Sequence, residues 1–160
     1  MNYWLFKSEP DVFSFPDLKA RPQRTEPWTG VRNYQARNFM RDHMQVGDLA
    51  LFYHSSCPQP GVVGLMRVAS PPYPDPTQFA PSDEAFDPKA TPAKPIWILV
   101  DVAWHQDLTQ PVSLPQLREE PTLADLAILR RGNRLSITPL TPSEFHTILH
   151  LSQTPTPPPA

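Results

Sequence analysis

The sequence predicts an α+β fold, a partly open mixed β-barrel with short peripheral helices, and three observations carry that prediction. Short apolar and aromatic runs near residues 3–6, 49–54, 62–69, 96–104 and 135–139 read as strands. Helical spacings fall between some of them without a regular βα repeat, so the sheet is mixed and too small for a doubly wound fold; curling into a barrel is its natural closure. The 23 prolines among 160 residues punctuate loops and forbid long helices.

In chain order, Tyr3 to Phe6 forms an aromatic strand that ends at Lys7-Ser8-Glu9-Pro10, where proline turns the chain and leaves a polar triplet at the strand mouth. Ser14 caps a short helix to about Lys19, and a second helix is expected from about Asn33 to Met44, with Ala36, Phe39, Met40 and Met44 on its buried face. Gly47-Asp48 then makes a turn. Leu49 to His54 and Val62 to Ala69 form a hairpin around a loop holding Ser55 and Cys57. A proline-punctuated excursion from Ser70 to Pro95 has the length of a functional loop. Ile96 to Trp104 is expected as a strand with Ile96, Ile98, Val100 and Val102 on one face. Ser113 to Glu119 and Leu123 to Leu129 are expected as short helices, followed by a strand over 135–139. Thr141-Pro-Ser-Glu144 is a capping box opening a last helix that buries Phe145, Ile148 and Leu149. One domain over residues 1–152 and a proline-rich disordered tail over 153–160 complete the expected organisation.

The formal charge of −2 speaks against a nonspecific nucleic-acid coat, which needs a broad basic surface, but it allows a local basic pocket. Cys57 is the lone cysteine, which excludes an intramolecular disulfide and fits a reducing, cytoplasmic setting. The beginning of the chain lacks a basic leader and no apolar run is long enough to span a bilayer, so neither secretion nor a membrane partner is expected.

Three kinds of chemistry find weak support. His54, Ser55 and Cys57 are close in sequence but lack a nucleophile elbow. His146 and His150 are spaced for one helix face without the glutamate of a metalloprotease, so no metal is expected. The five glycines make no phosphate-binding fingerprint, and no cofactor is expected. The stretch Trp28 to Arg37 survives this sorting: two aromatics, two arginines and an asparagine surround a glycine turn, offering ring faces, donor forks and an amide to a flat heterocycle. Trp28 and Tyr34 fit either a core or a pocket wall, and Lys7-Ser8 and His54-Ser55 can join them at one rim of the sheet.

Trp4-Leu-Phe-Lys-Ser-Glu-Pro10, Trp28-Thr-Gly-Val-Arg-Asn-Tyr-Gln-Ala-Arg-Asn38, Phe52-Tyr-His-Ser55, Gly61-Val-Val-Gly64, Tyr73-Pro-Asp75 and Leu135-Ser-Ile-Thr-Pro-Leu140 together resemble the EVE domain family. The resemblance runs from Tyr3 to about Leu151 and implies a PUA-like barrel that reads modified bases, including modified cytosines, by accepting an extruded base. It implies a base pocket of Lys7, Ser8, Glu9, Trp28, Val31, Asn33, Tyr34, His54 and Ser55, with Trp28 stacking and Ser8, Asn33 and Ser55 reading the base edge. Arg32, Arg37, Arg67 and Arg134 are the phosphate candidates, and the expected partner is DNA or RNA carrying modified bases. Trp28→Ala is expected to weaken binding without unfolding the domain. The competing readings are an enzyme acting on RNA or a modified nucleobase, with His54, Lys7 and Glu9 as acid-base groups, and a domain that binds a small heterocycle.

Overall fold

A computed structural model of the chain describes residues 1–153. Its main sheet has six strands in the order β2-β7-β4-β3-β1-β8, formed by β1 (Tyr3–Ser8), β2 (Thr25–Pro27), β3 (Leu49–His54), β4 (Gly61–Val68), β7 (Asp101–Ser113) and β8 (Ile137–Leu140). Strands β1 and β3 are parallel and the other neighbours antiparallel, while β2 and β8 remain as unpaired edges. The mixed, partly open barrel is therefore as expected. Strands β5 (Tyr73–Pro74) and β6 (Ile98–Leu99) form a separate two-stranded ribbon.

The sheet is buried on both faces, which is why β1 shows an unbroken run of large apolar residues instead of alternation. Trp4 and Phe6 pack inward with Phe15, Trp28, Val31, Met40 and Phe52, whereas Leu5 packs outward with Leu51, Val62, Leu117, Leu123 and Phe145. Helices α3 (Leu114–Glu119) and α4 (Pro142–Gln153) supply apolar side chains to the outward cluster. Helix α1 (Phe15–Ala20) and helix α2 (Tyr34–Asn38) serve the inward one.

Local signals account for the helix starts. Ser14 and Asp17 close a reciprocal box at α1, Ser113 and Gln116 do so at α3, and Thr141 and Glu144 do so at α4. Asn33 caps α2, whose end widens into a π-helical turn over Phe39–His43. Gly64 lies where a Cβ would fall 2.2 Å from the Phe15 ring, so only glycine lets α1 close over β4.

Two elements differ from expectation. The run from Ile96 to Trp104 does not form one strand: β6 pairs with β5, Val100 breaks the ladder, and β7 then joins the main sheet and runs on to Ser113. Trp97 and Leu99 are buried while Ile96 and Ile98 are only partly so, because the inward face changes where the chain changes partners. The helix expected over residues 123–129 is instead two 3₁₀ turns, Pro121–Leu123 and Ala127–Leu129, separated by an extended Leu126. That break places Leu123 and Leu126 together in the outward core. The proline-rich tail lies outside the described residues except for Gln153, which closes α4.

Candidate functional site

Parallel pairing of β1 with β3 sets Ser8 beside His54, and the Ser55 N–H donates to the Ser8 carbonyl at 3.0 Å. The two polar strand ends thus meet at one rim. Beside the β1 end, a cavity of about 420 Å³ opens between Lys7, Ser8, Phe13, Trp28, Val31 and Arg32, with Arg21, Glu26 and Ser136 completing its walls. That volume lies within the range of small-ligand sites.

Trp28 is the floor. It is only 8% exposed and meets the rings of Phe6, Phe13 and Phe52 edge to face, at centroid separations of 5.1, 6.0 and 5.6 Å. Trp28→Ala, expected from the sequence to weaken binding without unfolding the domain, would also remove the contacts of this side chain with three aromatic neighbours of the inward core.

The indole N–H groups separate Trp28 from the other tryptophans. Those of Trp4, Trp97 and Trp104 donate to Asp48, Asp87 and Asp107 at 3.1, 2.8 and 3.0 Å. The N–H of Trp28 donates to no described group and is not among the sealed unpartnered atoms, so it keeps some accessible surface, and the residue lines the cavity. Lys7 is similar: its ammonium has no bonded acid among the described residues, and burial pushes its pKa below the ordinary lysine value.

The long excursion after Ser70 holds the opposite wall. Asp75 is 1% exposed and accepts from the Gly30 N–H at 2.8 Å, the Arg32 guanidinium at 3.1 Å, and both the N–H and hydroxyl of Thr77. Burial alone would raise its pKa, but these hydrogen bonds hold it below the usual carboxylate value. Arg32 also donates to the carbonyls of Ala85 and Val31 and to the Thr77 hydroxyl, which leaves little of its donor fork for a phosphate.

Of the other expected residues, Ser8 and Val31 line the cavity, although the Ser8 hydroxyl already donates to the Phe13 carbonyl. Glu9, Asn33, Tyr34, His54 and Ser55 do not line it. The Asn33 side-chain oxygen is occupied by the Ala36 N–H, and Tyr34 stacks on Trp97 at 4.8 Å instead of facing the base-sized cavity. His54 Nε2 accepts from the Phe15 N–H at 3.1 Å, and burial holds its pKa below the free value. Arg37 donates to the Ile96 carbonyl and to Asn38 and lies over the Tyr34 ring; Arg67 donates to the Trp104 carbonyl. Arg134 is exposed and has no bonded acceptor among the described residues. Sequence reasoning missed Phe13, Arg21 and Ser136, which the fold brings in from outside the Trp28 segment, and also Glu26, which stands two residues before Trp28.

A larger hollow of about 940 Å³ borders His54, Cys57, Pro60, Val63, Pro111 and Leu114. It is predominantly apolar, with the exposed Arg118 guanidinium among its lining groups. Among the described residues no group of three or more His, Cys, Asp or Glu is placed to hold a metal, and no helix is long and apolar enough to cross a membrane.

A curled, half-open mixed barrel with a polar and aromatic cavity at the mouth of its parallel strand pair defines a PUA-like domain. The chain belongs to the EVE domain family, which it matches over residues 2–151. It is 44% identical to mouse thymocyte nuclear protein 1 over 170 residues, spanning 96% of this chain and 74% of that relative. The structure of human THYN1 protein in complex with DNA containing 5-methylcytosine superposes with a TM-score of 0.92 at 39% identity, covering 98% of this chain and 100% of the other. A Pseudomonas putida protein superposes with a TM-score of 0.87 at 45% identity, covering 94% and 99%.

Proposed function

We propose that the protein is a noncatalytic reader of modified cytosine in DNA, which it binds by admitting an extruded base to the cavity over Trp28. The observation that carries this reading is a cavity lined by Trp28 and Lys7, whose indole N–H and ammonium have no bonded acceptor among the described residues. Accessible donors that no protein acceptor engages are free to bond a ligand that displaces their water. A cytosine offers ring nitrogen and carbonyl acceptors to Trp28 and Lys7, and a free oxygen of Glu26 can accept from its amino group. Val31 and Phe13 provide apolar surface for a substituent on the ring. The DNA ligand of the human relative supports the same ligand class.

The enzymatic alternative needs His54, Lys7 and Glu9 to converge, but only Lys7 lines the cavity and His54 Nε2 is engaged by the backbone. The lone Cys57 thiol supports a reducing compartment, and we retain the cytoplasm as the proposed location; fractionation of cells producing the tagged protein tests it.

The functional test is anisotropy titration at fixed salt with matched DNA and RNA oligonucleotides, single and double stranded, carrying cytosine, 5-methylcytosine or 5-hydroxymethylcytosine. Tighter binding to a modified DNA than to its unmodified match is expected. Equal affinity across the set refutes modified-base reading, tighter RNA binding overturns the choice of DNA, and chemical change of the oligonucleotide during incubation overturns the noncatalytic assignment.

A further inference from the structure

The edge strands of the open barrel are β2 and β8, and the cavity draws wall residues from both sides: Glu26 and Pro27 belong to β2, while Ser136 immediately precedes β8. The turns feeding these edges therefore lie to either side of the cavity. On the β2 side, Gln23 and Arg24 take left-handed backbone angles, with φ of 55° and 52°. Two successive non-glycine residues in this region are uncommon, and such backbone is held in place by its surroundings. Here the turn lays the Arg24 guanidinium over the Trp104 indole, 4.6 Å from the ring centroid.

The neighbouring cations are already committed. Lys19 pairs with Asp107 and Arg21 with Glu26. Arg24 bonds to no acceptor among the described residues, so its planar donor fork is oriented by the ring and left open. On the β8 side, Arg131 and Arg134 are exposed on the loop before Ser136 and also lack bonded acceptors. The acidic Glu9 and Asp11 stand outside these two turns, on the loop after β1, and disfavour a phosphate path along that side.

We propose that the DNA backbone crosses the open side of the barrel, with Arg24 on the β2 edge and Arg131 and Arg134 on the β8 edge gripping phosphates to either side of the extruded nucleotide. This clamp rests on the cavity being the base site, and it replaces Arg32, Arg37 and Arg67, whose guanidinium groups are engaged within the protein.

The test measures binding of a duplex containing 5-methylcytosine, and of its unmodified match, across a series of potassium chloride concentrations. The proteins are wild type, Arg24→Gln, Arg131→Gln combined with Arg134→Gln, and Arg41→Gln as a charge control whose native side chain pairs with Asp42. Each lost phosphate contact is expected to lower the magnitude of the slope of log affinity against log salt by about 0.9, so Arg24→Gln loses about one such step and the double variant up to about two. Arg41→Gln should retain the wild-type slope, and circular dichroism checks that all variants fold.

Slopes unchanged by the clamp variants, or lowered equally by Arg41→Gln, overturn the clamp. Lowered slopes on duplexes that wild type does not discriminate support the clamp and refute modified-base reading. No binding to either duplex at any salt overturns both.

Discussion

Replacing Trp28 with phenylalanine removes the indole N–H while keeping an aromatic ring on the cavity floor. If that N–H donates to the base, the variant leaves an acceptor facing a wall without a partner. Such a loss costs about 1–3 kcal/mol, which corresponds to at least about fivefold weaker binding. The fold should survive: full truncation of a buried aromatic costs roughly 3–5 kcal/mol, and the smaller ring retains part of the contact with Phe6, Phe13 and Phe52. A loss of about 2 kcal/mol leaves a typical domain folded. Thermal denaturation first establishes the folded fraction, and anisotropy titration with a duplex carrying 5-methylcytosine then gives the affinity. A folded Trp28→Phe protein that binds within about twofold of wild type refutes a hydrogen bond from this indole.

Asp75→Ala removes the acceptor shared by Gly30, Arg32 and Thr77, leaving a half-buried guanidinium without its acid; a loss of about 3–5 kcal/mol is expected in urea denaturation. An unchanged midpoint would mean that the loop after β5 does not hold the cavity wall. Gly64→Ala drives a methyl group into the Phe15 ring and should cost about 1–3 kcal/mol by the same measurement, with a wild-type midpoint showing that α1 can lift at no cost. His54 has a folded pKa lowered by burial, so the unfolded chain binds its proton more readily. Its contribution to stability is intact above about pH 6.5 and declines as pH falls from there through the folded value, because the N–H of Phe15 needs a neutral acceptor. Stability measured against pH should show that decline in wild type and a flatter profile in His54→Gln; equal profiles would locate the proton elsewhere.

Much of the architecture was legible because its signals are local. The reciprocal capping pairs at Ser14, Ser113 and Thr141, with Asp17, Gln116 and Glu144, announce helix starts within four residues, and the hairpin of β3 and β4 is written in two adjacent apolar runs. The change of partner at Val100 was not legible, since pairing of β6 with β5 is decided across a long loop. The site divides in the same way. The Trp28-to-Arg32 turn was visible as a polar and aromatic cluster, but which groups in it remain unengaged depends on distant partners. Asp75 occupies Arg32 from 43 residues away, and Tyr34 stacks over the buried Trp97 outside the cavity, so two residues that look like ligand groups in sequence are placed by partners far along the chain. Phe13 and Ser136 had no distinguishing local pattern, because the cavity gathers them from separate strands and turns.

The modest charge of the chain bears on how such a reader gains selectivity. Burying one methyl-sized group supplies about 0.8 kcal/mol, roughly a fourfold preference, while extrusion of a base from a duplex costs a few kcal/mol. A strongly basic surface would bind every duplex through its phosphates and bury that small preference under competing sites. With a formal charge of −2 and only a few arginines unengaged at the barrel edges, the electrostatic contribution stays limited, and tight association must await occupation of the cavity. Adding cations around the mouth should therefore raise affinity for modified and unmodified DNA alike and leave their ratio unchanged. Filling the cavity, by contrast, should reduce the ratio itself. Val31→Phe provides that comparison, because Val31 is 8% exposed on the cavity wall and a larger ring would project into the space assigned to the base. A folded Val31→Phe protein that keeps the wild-type preference for modified DNA would place the reading surface elsewhere.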